Sequence, residues 1–209
     1  MRELMISIQP RWVEKIVSGK KTVEVRKTRP KCETPFKCYI YETKDKRFED
    51  MGYCWSKGEY FEHHIGKVIG EFVCDRIYDI TPHFDTPTFP NQYICGWDYG
   101  KEFDCLSFEE LTSYLNGKKG YGWHITDLVV YDEPRELSEF ATVDNEAVKN
   151  CNHREQSYYD GFCNSGYLKC GFYCSVKDDW CDKCKTKPIT RAPQSWQFCV
   201  ATETRQTAD

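Results

Sequence analysis

Six of this chain's thirteen cysteines crowd into one stretch: Cys151, Cys163, Cys170, Cys174, Cys181 and Cys184. Residues 145–191 around them are polar, with too little periodic apolar content to bury a core of their own. Such a segment needs a cross-link or a metal to fold. The cysteine total is odd, and the N-terminus (Met1-Arg2-Glu3-Leu4-Met5-Ile6-Ser7-Ile8) reads as a strand, not as a secretory leader. Both features point away from a disulfide framework and towards a cytoplasmic protein with reduced thiols. Clustered thiolates then imply zinc. Cys181-Asp182-Lys183-Cys184 is a CxxC pair, the spacing that lets two thiolates grip one tetrahedral ion from a tight turn. By proximity the second pair would be Cys170 and Cys174, and spacing leaves Cys151, Cys163 and His153 as further candidates. A site of this kind is closed and structural, and metal binding supplies the stability that the segment lacks. The remaining cysteines (Cys32, Cys38, Cys54, Cys74, Cys95, Cys105, Cys199) are scattered and read as core or incidental.

Outside this segment, the apolar residues come in short runs. None approaches the roughly 20 residues needed to cross a bilayer, and no Gly-rich phosphate loop announces a nucleotide cofactor. Residues 4–9 alternate as a half-buried strand should. Pro10 opens a helix with Trp12, Val13, Ile16 and Val17 at helical spacing, and Gly19 ends it. A strand follows at about 22–27, with Val23 and Val25 on one face and Thr22, Glu24 and Arg26 on the other. Tyr39 and Tyr41 mark a third strand, and residues 45–65 a loop or hairpin insertion. Lys67–Ile80 reads as one long extended run. Ser107 and Glu110 form a capping box for a helix from 108. Trp123–Tyr131 is a late strand closed by Asp132-Glu133-Pro134, and 193–200 is a final one. Many short strands with a few short helices predict an α+β fold built on a mixed β-barrel. The expected domain comprises 1–144 and 192–201, the zinc segment 145–191 is an insertion before the last strand, and 202–209 is a frayed tail.

Charge is unevenly spread. Residues 1–47 hold 13 Lys and Arg against 6 Asp and Glu, a local balance of +7 in a chain of net charge −4. A basic segment on an acidic body can focus phosphate binding onto one face, although it can equally be solvated surface. Within it, Gly19-Lys20-Lys21-Thr22-Val23-Glu24-Val25-Arg26 places one carboxylate between two cations on a strand that follows a helix end. Such a trio can fix donors and acceptors in a cleft, where Arg supplies a planar fork and Glu accepts from an exocyclic amine. The competing expectation is an exposed ion-pair ladder worth less than about 1 kcal/mol. Trp12, Tyr121 and Trp123 are candidates to stack on a base, or are core. No Ser-His-Asp order or HExxH is present, and the adjacent His63 and His64 read as surface.

The pattern G-x-K-x-x-E-x-R at 19–26 resembles the signature of ASCH domains, a branch of the PUA-like superfamily. Ile6-Ser7-Ile8-Gln9-Pro10, Gly122-Trp123-His124-Ile125, Tyr131-Asp132-Glu133-Pro134-Arg135-Glu136-Leu137 and Ala192-Pro193-Gln194-Ser195-Trp196 extend the likeness along most of the chain. The resemblance implies a PUA-like barrel with short flanking helices, and a cleft that binds RNA or a modified nucleoside through Lys21, Glu24, Arg26 and Trp123. Similar Cys-rich ASCH proteins imply zinc on Cys151, Cys174, Cys181 and Cys184. Some relatives are hydrolases, acting as ribonucleases or on acetylated cytidine with a Lys, a Thr and a Glu. Lys21 matches that lysine, whereas Glu24 stands where the threonine would be. In an enzyme of this kind Lys21 and Glu24 would be the catalytic pair. A third reading is a protein-interaction adaptor.

Overall fold

The computed structural model describes residues 1–46, 61–81, 105–107, 109–142 and 188–201 with their side chains. It describes the backbone alone at 53–56, 59–60, 82–83, 92–95, 108, 173–174, 179–180 and 187. In chain order the strands are β1 (Arg2–Ile8), β2 (Val23–Arg26), β3 (Phe36–Glu42), β4 (Tyr53–Ser56), β5 (Glu59–Glu62), β6 (Val68–Cys74), β7 (Ile77–His83), β8 (Gln92–Cys95), β9 (Gly120–His124), β10 (Thr126–Arg135), β11 (Phe140–Thr142), β12 (Tyr173–Cys174), β13 (Asp179–Trp180), β14 (Lys187–Pro188) and β15 (Trp196–Ala201). Helix α1 spans Pro10–Val17 and α2 spans Phe108–Leu115.

The fold is mostly sheet, flanked by these helices. Among the described residues the strands do not close into a single barrel. A seven-stranded sheet runs β10-β6-β3-β1-β15-β11-β14, and a four-stranded sheet runs β2-β9-β7-β8. The two are joined at a corner. The run 67–80, expected as one strand, bends at Asp75-Arg76, leaving the large sheet as β6 and entering the small one as β7. Its partner bends beside it. β9 lies in the small sheet and β10 in the large one, with Asp127 at φ 48° just past the bend. His124 N donates to Arg76 O at 3.1 Å, and His124 Nδ1 lies 2.5 Å from Asp75 Oδ1. Burial pushes the Asp75 carboxyl up, but the hydrogen bonds and charges of His124 and Arg76 outweigh it and hold it below its ordinary value. Strands that switch sheets at such a corner join the two sheets without one continuous ladder.

β1 is not half-buried as its alternation predicted. It pairs in parallel with β3 and antiparallel with β15, and residues 4–8 are buried on both faces. Leu4, Ile6 and Ile8 join Phe36, Cys38, Ile40, Phe72, Trp123 and the α1 residues Val13 and Ile16 in the main core. Met5, on the opposite face, meets Tyr39, Phe140, Ile189 and Cys199 in a second one. Fully burying one such side chain contributes about 1.5–3 kcal/mol. The polar Ser7 is tolerated because its Oγ donates to Pro193 O at 2.6 Å. Cys38, Cys74 and Cys199 are core residues, and burial pushes each thiol up, Cys74 to about 12.

β4 and β5 form the hairpin expected within 45–65. β10 continues to Arg135, past the expected stop at Asp132. The chain is back in the large sheet by Lys187–Pro188, where β14 pairs with β11, and Ile189 is buried. Sheet structure therefore resumes before Ala192. Cys151, Cys163, Cys170, Cys181, Cys184 and His153 lie outside the described residues, as does 202–209. Cys174 is described only as backbone, in the two-residue ladder of β12 with β13. Among the described residues no helix is long and apolar enough to cross a membrane.

Candidate functional site in the seam between the sheets

Among the described residues β2 is an edge strand of the small sheet, paired with β9 on one side only. How α1 ends decides what precedes it. Gly19 takes φ 68°, which a residue with a Cβ rarely adopts. Lys20 N then reaches Lys15 O and Gly19 N reaches Ile16 O, both at 2.9 Å, the paired bonds of a Schellman cap. Lys21 N also bonds Lys15 O at 2.9 Å, so the chain turns tightly and brings Lys21 to the entry of β2. Along β2 the period of two sends Val23 and Val25 into a core with Ile80, Leu111 and Leu115. Glu24 and Arg26 face the other way, towards β1 and the loop before β15.

They are not an exposed ladder. Lys21 is 2% exposed, and Glu24 and Arg26 are 6% exposed each. Glu24 divides its carboxylate between two cations: Oε2 lies 3.3 Å from Lys21 Nζ, and Oε1 lies 3.0 Å from Arg26 Nη2. Lys21 Nζ also donates to Val23 O at 2.8 Å. Arg26 Nη2 donates to Ser7 O at 2.6 Å, and Nη1 lies 3.5 Å from Ser195 Oγ. Arg26 Nε is buried without a hydrogen-bond partner among the described residues. With Trp196 Nε1 donating to Thr28 Oγ1 at 2.9 Å, these side chains span the seam between β2 and the β1–β15 pair in the interior of the large sheet.

Above this trio opens a cleft of about 1100 Å³. Ser7, Gln9 and Thr43 contribute to one side, Pro193, Gln194 and Ser195 to another, and the α2 residues Glu109, Glu110, Ser113 and Tyr114 face them. Burial pushes the Tyr114 phenol up, with Arg26 lowering and Glu24 raising it, so its ring stands close to the charged floor. Arg11 and Lys27 add cations to the lining. The Arg11 guanidinium lies 4.3 Å over the Trp12 ring and pairs with Glu110 at 3.2 Å, linking α1 to α2. Lys27 Nζ sits 4.7 Å over Tyr114. The lining thus offers cationic forks, carboxylate acceptors, hydroxyls and aromatic faces, the functional groups that read a nucleotide.

The structure brings Lys21, Glu24 and Arg26 together. Trp123 stands directly opposite Glu24 in the β2–β9 ladder, but it is fully buried, edge-on to Phe36 at 5.4 Å and tilted against Trp196 at 6.0 Å, and it is not among the residues lining the cleft. Trp12 does line it. Sequence reasoning did not single out Ser7, Arg11, Tyr114 or Ser195 as site residues, although Ser7 and Ser195 sit inside two of the quoted motifs. His63 was expected on the surface and is buried. Its Nδ1 lies 2.5 Å from Glu42 Oε1, while Glu42 Oε2 accepts from His64 N at 2.8 Å.

No curated protein matches the chain. Among solved structures it resembles the ASCH protein of Zymomonas mobilis, at 21% identity over 76% of this chain and 94% of that one, with a TM-score of 0.43. A Tyr-to-Phe variant of that protein matches at 21% identity over 77% and 98%, also at 0.43. A Ser-to-Ala variant matches at 19% over 76% and 95%, at 0.42. The sequence profile of the ASCH domain matches residues 6–114, which take in α1, the Lys21–Glu24–Arg26 trio and most of α2: the chain belongs to the ASCH domain family.

Proposed function

We propose that this protein binds RNA or a modified nucleoside in the seam cleft, and that Lys21, Glu24 and Arg26 form its recognition floor. One observation carries this reading: a buried carboxylate shared by two buried cations lies at the bottom of a cleft large enough for a nucleotide. Burying charge is costly in free energy and weak as a source of stability, so a buried ionic trio that lines a cleft is better explained by recognition than by packing. Arg26 and Lys21 suit phosphate or carbonyl oxygens, Glu24 suits an amino group, and Trp12 and Tyr114 suit a base face.

The test is binding of fluorescent single-stranded RNA at several salt concentrations. Salt-sensitive binding that Arg26→Ala weakens at least tenfold is expected. Binding indifferent to that change would overturn the assignment of the floor. The same samples, incubated with short RNAs and acylated cytidine nucleosides and followed by mass spectrometry, decide whether the site is catalytic. Turnover lost in Lys21→Ala would replace a reader with a hydrolase using Lys21 and Glu24.

For the Cys-rich segment we propose a structural zinc held by Cys151, Cys174, Cys181 and Cys184. In support, β12 and β13 pair antiparallel, with Cys174 opposite Asp179, so the backbone of Cys174 returns beside the strand that leads directly into the CxxC pair. The four thiolates suit a closed tetrahedral ion that would tie the segment down. One zinc per chain by elemental analysis, lost in the Cys181→Ser/Cys184→Ser variant, is the expected result.

A further inference from the structure

We infer that the cleft floor is a phosphate subsite, so that the ligand is a phosphate-bearing nucleotide and not a neutral nucleoside. This rests on the reading of the cleft as a nucleotide or RNA site, and narrows it. Lys21, Glu24 and Arg26 carry a net charge of +1 between them, and Glu24 is the buried carboxylate that they share. Its two oxygens are already divided, one to each cation. Arg26 is the member with capacity to spare. Nη2 is committed to Glu24 and Ser7 O, Nη1 makes a long 3.5 Å contact to Ser195 Oγ, and Nε is buried with no partner among the described residues.

With Nη2 committed, the Arg26 N–H groups still to be engaged are those of Nη1 and Nε, which lie on different edges of the guanidinium plane, so an anion arriving from the cleft would take the Nη1 edge beside Ser195 Oγ. It would also balance the net positive charge of the buried trio, which a neutral nucleoside would not. Ser195 Oγ and the rim cations Arg11 and Lys27 lie on the same cleft, so a phosphate there has a hydroxyl and further positive charge nearby. Glu109 and Glu110 stand on α2 in the same lining, and their carboxylates suit the amino-bearing end of the ligand.

Calorimetry would compare the four nucleosides, their 5′-monophosphates, inorganic phosphate and a short single-stranded RNA on the full chain. The expected result is that a monophosphate or the RNA binds at least about tenfold tighter than the matching nucleoside. In Arg26→Gln that advantage should fall to about twofold or less, with Arg26→Lys in between, because it keeps the charge and loses the Nη1 donors. A preference for the RNA over every monophosphate would place a backbone diester in the subsite, and the converse a terminal monoester. Nucleosides binding as tightly as nucleotides would overturn the phosphate subsite while leaving a base-reading cleft intact. A phosphate advantage that survives Arg26→Gln in a folded sample would overturn the role of Arg26. RNA binding with no phosphate-dependent gain in any arm would likewise overturn the subsite, and no binding by any probe would overturn the cleft reading with it.

Discussion

Two buried polar clusters in this molecule differ in where they sit, one away from the cleft and one on its floor. In the first, Glu42 and His63 have fully buried side chains, and one carboxylate oxygen meets His63 Nδ1 while the other meets His64 N. Phe61 packs edge-on to the His63 ring at 5.1 Å. That cluster fastens the end of β3 to the segment before β6, and neither residue lines the cleft. The trio on β2 is the opposite case. It has two cations to one carboxylate, an unpartnered guanidinium N–H among the described residues, and a cleft above it. A buried polar cluster away from any opening is architecture, and one with an excess cation on the floor of a cavity is a place for a ligand.

The contrast is sharpest in stability. Glu42→Ala should cost about 2–5 kcal/mol in urea denaturation, because it strips His63 Nδ1 and His64 N of their partner. A loss under about 1 kcal/mol would show that the Glu42 cluster is not structural. In the trio the two obvious substitutions should differ. Glu24→Gln leaves two buried cations facing each other and should cost about 2–4 kcal/mol. Arg26→Gln leaves Lys21 opposite Glu24, a balanced pair, and should cost less. Equal losses from the two would mean that the trio is held by packing and not by charge. If phosphate occupies the subsite, millimolar phosphate should recover part of the Glu24→Gln loss and none of the Glu42→Ala loss.

A smaller effect belongs to the corner. Because the Asp75 carboxyl is held below its ordinary value, its ionised form stabilises the fold above the unfolded-state pKa, and that contribution is lost as pH falls through the lower folded-state value. Asp75→Asn should therefore cost about 1 kcal/mol at neutral pH, allowing for solvent screening at this partly exposed site. The gap from wild type should close in acid, and a gap unchanged down to pH 2 would refute the pairing. Least of all should be Glu110→Gln. Its ion pair with Arg11 is exposed, and Gln can still accept the Ser107 N–H of the capping box, so stability should change by less than about 0.5 kcal/mol.

How much of this was legible in the sequence follows the distance over which each feature is determined. The end of α1 at Gly19, the capping box of Ser107 with Glu110, and the shared face of Glu24 and Arg26 depend on neighbours a few residues apart, and all were readable. The burial of His63 depends on Glu42, whose place beside it is set by sheet pairing, and adjacency to His64 suggested the wrong side. The double burial of β1 depends on β11 and β15 packing from the far end of the chain. Trp123 and Trp12 look alike as aromatic residues; Trp123 packs into the main core against Phe36 while Trp12 lines the cleft, and periodicity does not encode that. Arg11, Tyr114 and Ser195 come from three separate segments, and only the fold assembles them.

The seam has one more consequence. A short edge strand such as β2 exposes unpaired backbone amides and carbonyls on one side, a template on which a second chain can add its own strand. Glu24 and Arg26 project from one face of that strand and are held by Lys21, Ser7 and Ser195, so docking a foreign strand there would disturb those contacts. The residues that furnish the floor of the cleft would therefore also discourage strand addition. Apolar replacements at both positions would do more than empty the site: they would open an adhesive border, and the protein would fail first by self-association.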